Sequence, residues 1–183
     1  MKKAFDRMWR DGLFYKLKEK IDISLWRTIY NYYKTSKGMV KMYDKILNEF
    51  RMQEGVKQGR ILSPCLFNFF MNDLLNENDN NGNGAMIGRF NVSLISYCDD
   101  LIILSQNIRH VNKILKICEN YANKWKLTFN VNKCNWYLHG DSLIKYPVFK
   151  INNLLIKKVL SLIHLGRANV TVTLILVITT LKV

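Results

Sequence analysis

The chain has 183 residues, of which 49% are hydrophobic and 12% aromatic. That is enough apolar material for one packed domain, and it argues against a disordered chain. Lys and Arg number 28 against 14 Asp and Glu, a formal net charge of +14. Such a balance favours an anionic partner, nucleic acid first and an anionic membrane surface second. Cys65, Cys98, Cys118 and Cys134 form no C-x-x-C pair and read as small core residues of a reducing compartment. The basic start is followed by no apolar run, so no signal peptide is expected and the setting reads as intracellular.

In chain order, "AFDRMWRDGLFYKLKEK" predicts a helix start after Asp6, a break near Asp11 and Gly12, and a second short helix. "DISLWRTIYNYYKTSKG" predicts a helix capped by Asp22 or Ser24, with Leu25, Trp26, Ile29 and Tyr33 on its buried face and Gly38 ending it. "MVKMYDKILNEFRMQEGV" alternates in part and fits a β-hairpin turning near Asp44-Lys45 or Leu47-Asn48. "SPCLFNFFMNDLLNE" reads as a helix capped by Ser63 with Pro64 in its first turn. Its core stripe is Leu66, Phe67, Phe70, Met71, Leu74 and Leu75. "NENDNNGNG" reads as a loop.

"FNVSLISYCDDLIILS" predicts two strands with the acids at the turn. "NIRHVNKILKICENYANKWKL" carries Ile108, Val111, Leu115, Cys118, Ala122 and Trp125 at helical spacing. "LTFNVNKCNWYLHG" reads as a strand and turn. The tail "ANVTVTLILVITTL" is about 14 residues long, short of the roughly 18 to 20 a bilayer span needs, so no stable membrane association is expected. Its Thr and Val content suits a strand. Strands flanked by helices predict an α+β layer fold.

Two stretches carry chemistry. Asp99 and Asp100 interrupt an apolar strand pattern. Paired carboxylates on a hairpin suit a hard divalent ion; the competing reading is a solvated turn. Gly55, Gln58 and Gly59 precede a helix start, where a backbone can approach a ligand closely; the competing reading is an ordinary loop. Lys34, Lys37, Lys41, Lys45 and Lys57 fit either a nucleic-acid track or a solvated surface.

"KAFDRMWRDGLFYKL", "EGVKQGRILSPCLFNFFMNDLL", "SYCDDLIILS", "LTFNVNKC" and "HLG" follow one another over residues 2 to 166. In that order they resemble the palm motifs of reverse transcriptases, most closely those of non-long-terminal-repeat, LINE-like retrotransposons. The resemblance implies a palm fold over residues 1–166: an antiparallel sheet with helices packed on one face and the catalytic hairpin at its centre. Fingers and thumb would be largely missing. It implies RNA-templated addition of deoxynucleoside triphosphates to a DNA 3′ end, with two Mg2+ ions or Mn2+ in their place. RNA template, DNA primer and nucleotides would be the partners.

By the same resemblance, Asp99 and Asp100 would be metal ligands and catalytic. Phe5 would lie under the incoming sugar and exclude a ribose. Gln58 and Gly59 would touch the nucleotide, Lys133 would act as a general acid, and Leu165 and Gly166 would grip the primer. The family pattern D-x-x-K-A-F-D is matched by Lys3, Ala4, Phe5 and Asp6, and its leading metal-bridging Asp would fall one position before Met1. Asp6 is not given that role. The expectation is therefore a truncated, inactive fragment, with residues 167–183 a divergent tail from a shifted reading frame or, alternatively, an edge strand. A basic remnant that holds nucleic acid without chemistry is the alternative function. An RNA-directed RNA polymerase is a third reading, disfavoured by Phe5, and a membrane-associated protein using the tail a fourth.

Overall fold

A computed structural model of the chain describes residues 4–46, 48–138, 147–159, 163–164, 167–168 and 175–182. They fall into two compact units, Met1–Phe70 and Met71–Val183.

The first unit opens with α1 (Arg10–Lys18) and α2 (Ile23–Lys34). Gly12 does not break α1: it sits inside the helix, where an added Cβ would lie 2.5 Å from the Trp9 ring. The glycine makes room for an aromatic side chain one turn back. Asp22 caps α2 as expected, accepting from the Ser24 amide at 2.8 Å. The Ser24 hydroxyl and amide hold the Asp22 carboxyl below its ordinary value. The helix stops at Lys34, before Gly38, which lies in a strand. Ile29 and Tyr33 are buried, whereas Leu25 is exposed. Trp26 stacks on Tyr30 at 4.9 Å and donates its indole N–H to the Phe14 carbonyl at 2.8 Å. Met8, Leu13, Leu17, Tyr33, Phe67 and Phe70 are buried in this unit.

Four short strands follow: β1 (Lys37–Gly38), β2 (Lys41–Met42), β3 (Lys45–Ile46) and β4 (Phe50–Arg51). They nest as two antiparallel ladders, β1 on β4 and β2 on β3. Met42 pairs with Lys45, so the turn is Tyr43-Asp44, one residue before the expected Asp44-Lys45; the alternative turn at Leu47-Asn48 includes Leu47, which lies outside the described residues. The helix α3 (Leu62–Asn80) buries Leu66, Phe67, Phe70, Met71 and Leu74, the expected stripe. It runs on through Glu77-Asn78-Asp79-Asn80, a segment that reads as loop. Asn78 is buried and donates to the Ser93 hydroxyl at 2.7 Å, a tertiary contact that outweighs weak local propensity.

The second unit contains β5 (Met86–Ile87), β6 (Phe90–Asn91), β7 (Leu94–Tyr97), β8 (Asp100–Ser105) and α4 (Ile108–Lys124). Next come β9 (Thr128–Phe129), a 3-10 turn (Val131–Lys133), β10 (Asn135–Leu138), β11 (Lys150–Ile151), β12 (Leu154–Leu155) and β13 (Lys157–Lys158). The last strands are β14 (Ile163–His164), β15 (Arg167–Ala168) and β16 (Ile175–Lys182). The main sheet runs β13-β10-β16-β8-β7, with β9 also on β16. Among the described residues only the β10–β13 pair of this sheet is parallel. The architecture is α+β, as expected.

Two details differ from the expected palm. Among the described residues the β7–β8 hairpin lies at one end of the sheet rather than its centre. β16 pairs with β8 along Ile175–Thr180 and with β10 on its other side, so the described sheet grows from the hairpin through β8 alone and β7 is its last strand. Residues 175–182 of the tail are thus a strand, as its composition suggests, but an internal one instead of an edge. α4 packs against β8, and Val111, Ile114, Leu115, Cys118 and Ala122 are buried along it. Burial pushes the Cys118 thiol up to about 12, with Glu119 and Glu77 adding to the effect. Burial likewise raises Tyr121, with Asp73 and Glu77 contributing. Of the four cysteines, Cys118 and Cys134 are buried, Cys98 is half-buried and Cys65 exposed. No described helix is long and apolar enough to cross a membrane.

Candidate nucleotide pocket and metal hairpin

The first unit brings Phe5 together with the Gln58-Gly59 loop. The Val56 amide donates to the Phe5 carbonyl at 2.6 Å, and the Gly55 amide to the Met8 carbonyl at 2.9 Å. Gly55 has φ +76, and a Cβ there would lie 2.2 Å from the Asp6 carbonyl oxygen. Both the left-handed backbone and the close approach therefore require glycine. Gly59 also has φ +76, but an added Cβ would meet nothing within 4 Å. Its conformation demands glycine while its surroundings stay open.

Arg10 anchors this loop from behind. Its Nε donates to the Gly55 carbonyl at 2.6 Å, and Nη1 donates to the Tyr33 carbonyl at 3.0 Å and to the Met52 carbonyl. The guanidinium lies 5.1 Å from the Tyr33 ring centre. Burial lowers the Arg10 pKa, with Tyr33 and Glu54 opposing the shift. The sequence reading missed this residue. The available signal was its spacing: Arg10 stands three before Leu13 and seven before Leu17, on the stripe that faces the core.

Ser63 closes the loop at its far end. It is buried inside α3, not its N-cap. Its hydroxyl donates back to the Lys57 carbonyl and its amide to the Arg60 carbonyl. The outcome is an open-sided cavity of about 510 Å³, lined by Phe5, Gln58, Gly59, Arg60 and Ser63 among others. That volume suits a small-molecule ligand. Phe5 is half-buried and packs its ring 5.0 Å from that of Phe67, which fixes the wall it presents.

In the second unit the acids stand on a two-residue hairpin. Tyr97 pairs with Asp100, so Cys98 and Asp99 form the turn and Asp100 begins β8. The sequence pattern places both acids in the turn, whereas Asp100 is already in the strand. Cys98 has φ 52, the left-handed sign that tight hairpins need at their first central position. The Ser96 hydroxyl donates to the Cys98 carbonyl at 3.2 Å. Asp99 and Asp100 are both half-buried. Among the described residues no group of three His, Cys, Asp or Glu gathers into a metal cage. The two adjacent carboxylates supply hard oxygen donors, which fit an ion that keeps several waters.

The sequence model of the reverse transcriptase (RNA-dependent DNA polymerase) family matches residues 1–166. The chain belongs to the reverse transcriptase family.

Among its relatives, the RNA-directed DNA polymerase from mobile element jockey of Drosophila funebris is 26% identical over 172 residues, 91% of this chain and 18% of that protein. The probable RNA-directed DNA polymerase from transposon BS of Drosophila melanogaster is 27% identical over 139 residues, 73% of this chain and 15% of that protein. A retrovirus-related Pol polyprotein from the type-1 retrotransposable element R2 of Popillia japonica is 30% identical over 89 residues, 48% of this chain and 14% of that protein. The chain thus spans under a fifth of the length of these relatives. They support a LINE-like reverse transcriptase over an RNA-directed RNA polymerase.

Of the reverse transcriptase site residues expected from sequence, Phe5, Gln58 and Gly59 share one cavity, and Asp99 and Asp100 share one hairpin. Lys133 ends the 3-10 turn and is exposed. Leu165 and Gly166 lie outside the described residues; the flanking strands β14 and β15 pair antiparallel, with Ile163 opposite Ala168.

Proposed function

We propose that residues 1–166 supply the nucleotide pocket and metal-binding hairpin of an RNA-directed DNA polymerase palm. The reaction would add deoxynucleotides to a DNA 3′ end on an RNA template. The observation that carries this reading is the cavity formed jointly by Phe5 and Gln58-Gly59, two motifs more than fifty positions apart. In it Phe5 acts as a wall against a ribose 2′-hydroxyl. Specificity then comes from a clash rather than from added affinity. Gln58 offers an amide donor and acceptor to the base or sugar, and Gly59 lets the backbone approach.

Asp99 and Asp100 would hold a divalent ion, which when bound would stabilise charge on the transferring phosphate. The Ser96–Cys98 hydrogen bond supports the turn that presents Asp99. Lys133 is assigned to proton donation toward the leaving pyrophosphate, and Leu165 and Gly166 to the primer.

Titration with a fluorescent deoxynucleotide and its ribonucleotide counterpart tests the pocket. The wild type should prefer the deoxynucleotide, and Phe5→Ala should narrow that preference about tenfold. Equal affinity for both in the wild type overturns the assignment of Phe5. Mn2+ binding, read by electron paramagnetic resonance, should be lost in Asp99→Ala. Primer extension on an RNA template with Mg2+ tests the reaction: incorporation that Asp99→Ala abolishes supports it, and incorporation that Asp99→Ala leaves unchanged overturns the role of that residue. Salt-dependent RNA binding without nucleotide selectivity would favour the alternative, a non-catalytic nucleic-acid-binding remnant.

A further inference from the structure

The described residues between 37 and 51 build an arm that contributes no buried side chain to the core. Every described residue from Met39 to Arg51 is exposed. The arm is held by its own two ladders and by Phe50, whose ring lies over Gly38; a Cβ at Gly38 would sit 2.7 Å from that ring. Yet it carries Met39, Val40, Met42, Tyr43, Ile46 and Phe50 as exposed apolar or aromatic side chains. An exposed set of that size on one small element marks an interaction surface.

Its charges indicate the partner. Lys37 stands directly opposite Arg51, a like-charged cross-strand pair that disfavours the ladder. Glu49 reaches Lys37 at 2.6 Å, one acid for two bases. Further out, Lys41 pairs with Ile46 and Met42 with Lys45, so each face of the outer ladder presents one cation beside one apolar side chain. The tip is Tyr43, which is 92% exposed and has φ 52. A bulky residue in the left-handed region is strained where glycine or asparagine would not be. The turn gains nothing from tyrosine, so its ring is the feature to explain.

We propose that this arm binds single-stranded RNA, with Tyr43 stacking on a base and Lys41, Lys45 and Arg51 meeting phosphates. Cations interleaved with an aromatic platform match a polyanion whose bases are unstacked; a duplex hides the base faces that Tyr43 would use. The inference rests on the polymerase reading for RNA as the partner, and it deepens that reading by naming a contact surface outside the nucleotide pocket.

Fluorescence anisotropy with a labelled single-stranded RNA of about 12 nucleotides tests it on the full 183-residue chain. Tyr43→Ala removes no buried contact and should weaken binding about tenfold. Lys41→Ala with Lys45→Ala should lower the salt dependence, the slope of log affinity against log salt falling by roughly 1.4. Duplex RNA of the same length should bind more weakly and ignore Tyr43→Ala. Wild-type affinity and slope in both variants overturn the proposal. So does an arm whose substitutions change only self-association in sedimentation, or only binding to phosphatidylserine vesicles. If deoxynucleotide selectivity persists while these RNA arms fail, the arm is wrong and the polymerase reading survives. If the wild type shows neither selectivity nor RNA binding, both fall.

Discussion

The two hairpins that end in Tyr43-Asp44 and Cys98-Asp99 share one turn design and differ in everything behind it. Each has a non-glycine residue with φ 52 at the first central position, followed by an aspartate. A left-handed backbone costs such a residue about 1–2 kcal/mol. Behind Cys98-Asp99 stand strands of four and six residues, with Leu101, Ile103 and Ser105 buried, β16 on the far edge of β8 and α4 against it. Behind Tyr43-Asp44 stand two strands of two residues each, exposed throughout. The same local strain is thus carried by a packed sheet in one place and by a solvated ladder in the other. A turn of this kind reports rigidity only through what it is attached to.

The largest effect that separates the two comes from truncating their strands. Ile103→Ala should cost about 2–5 kcal/mol, because Ile103 is fully buried and its neighbours cannot close the void. Ile46→Ala, at an exposed position of the arm, should stay within about 0.5 kcal/mol. Urea unfolding of both variants measures the contrast; similar losses would break it.

A smaller effect follows pH. The unfolded Cys118 thiol ionises near 9.0, whereas the folded one is pushed up to about 12. Between these values the unfolded chain binds fewer protons than the folded one, so stability falls as pH rises. Tyr121, raised by burial, adds the same sign above its ordinary range. Unfolding at pH 7 and pH 10 should show the loss, and Cys118→Ala should flatten it. An unchanged slope in that variant would place the proton elsewhere.

Turn chemistry also explains what was legible. Gly88 (φ 59) opens the Gly88-Arg89 turn between β5 and β6, and Asn152 and Asn153 (φ 50 and 62) form that between β11 and β12. Although the sequence reading made no use of them, those residue types tolerate positive φ and so signal such turns. Tyr43 and Cys98 do not, and there the turn was placed a residue late or both acids were put in it. Helices α2 and α4 were readable because cap and stripe are local. The cavity residues were readable only through the five-motif resemblance; spacing alone left them an ordinary loop. The place of β16 was not readable at all. Nothing local to residues 175–182 says that they pair with residues 100–105, since strand pairing at such separation is set by the whole sheet.

Below these effects lies the support of the Cys98 turn itself. Ser96→Ala removes the hydroxyl that donates to the Cys98 carbonyl and should cost about 1 kcal/mol, measured by the same unfolding. Mn2+ affinity should fall with it if the turn presents Asp99. A variant that loses stability but keeps the ion would separate the turn from the metal.

The smallest effect is the most discriminating. Replacing either strained residue by glycine relieves about 1–2 kcal/mol of backbone cost and gives back about 0.5–1 kcal/mol in unfolded-chain entropy. Cys98→Gly also loses a half-buried side chain, so its net should lie near zero. Tyr43→Gly loses no buried contact, so the arm should tighten by up to about 1 kcal/mol, read as slower amide exchange at Met42 and Lys45. If the tighter arm binds single-stranded RNA more weakly, the tyrosine is kept for its contact and not for its turn. If exchange quickens instead, the ring is holding the arm together, and the comparison between a supported hairpin and an unsupported one fails at its starting point.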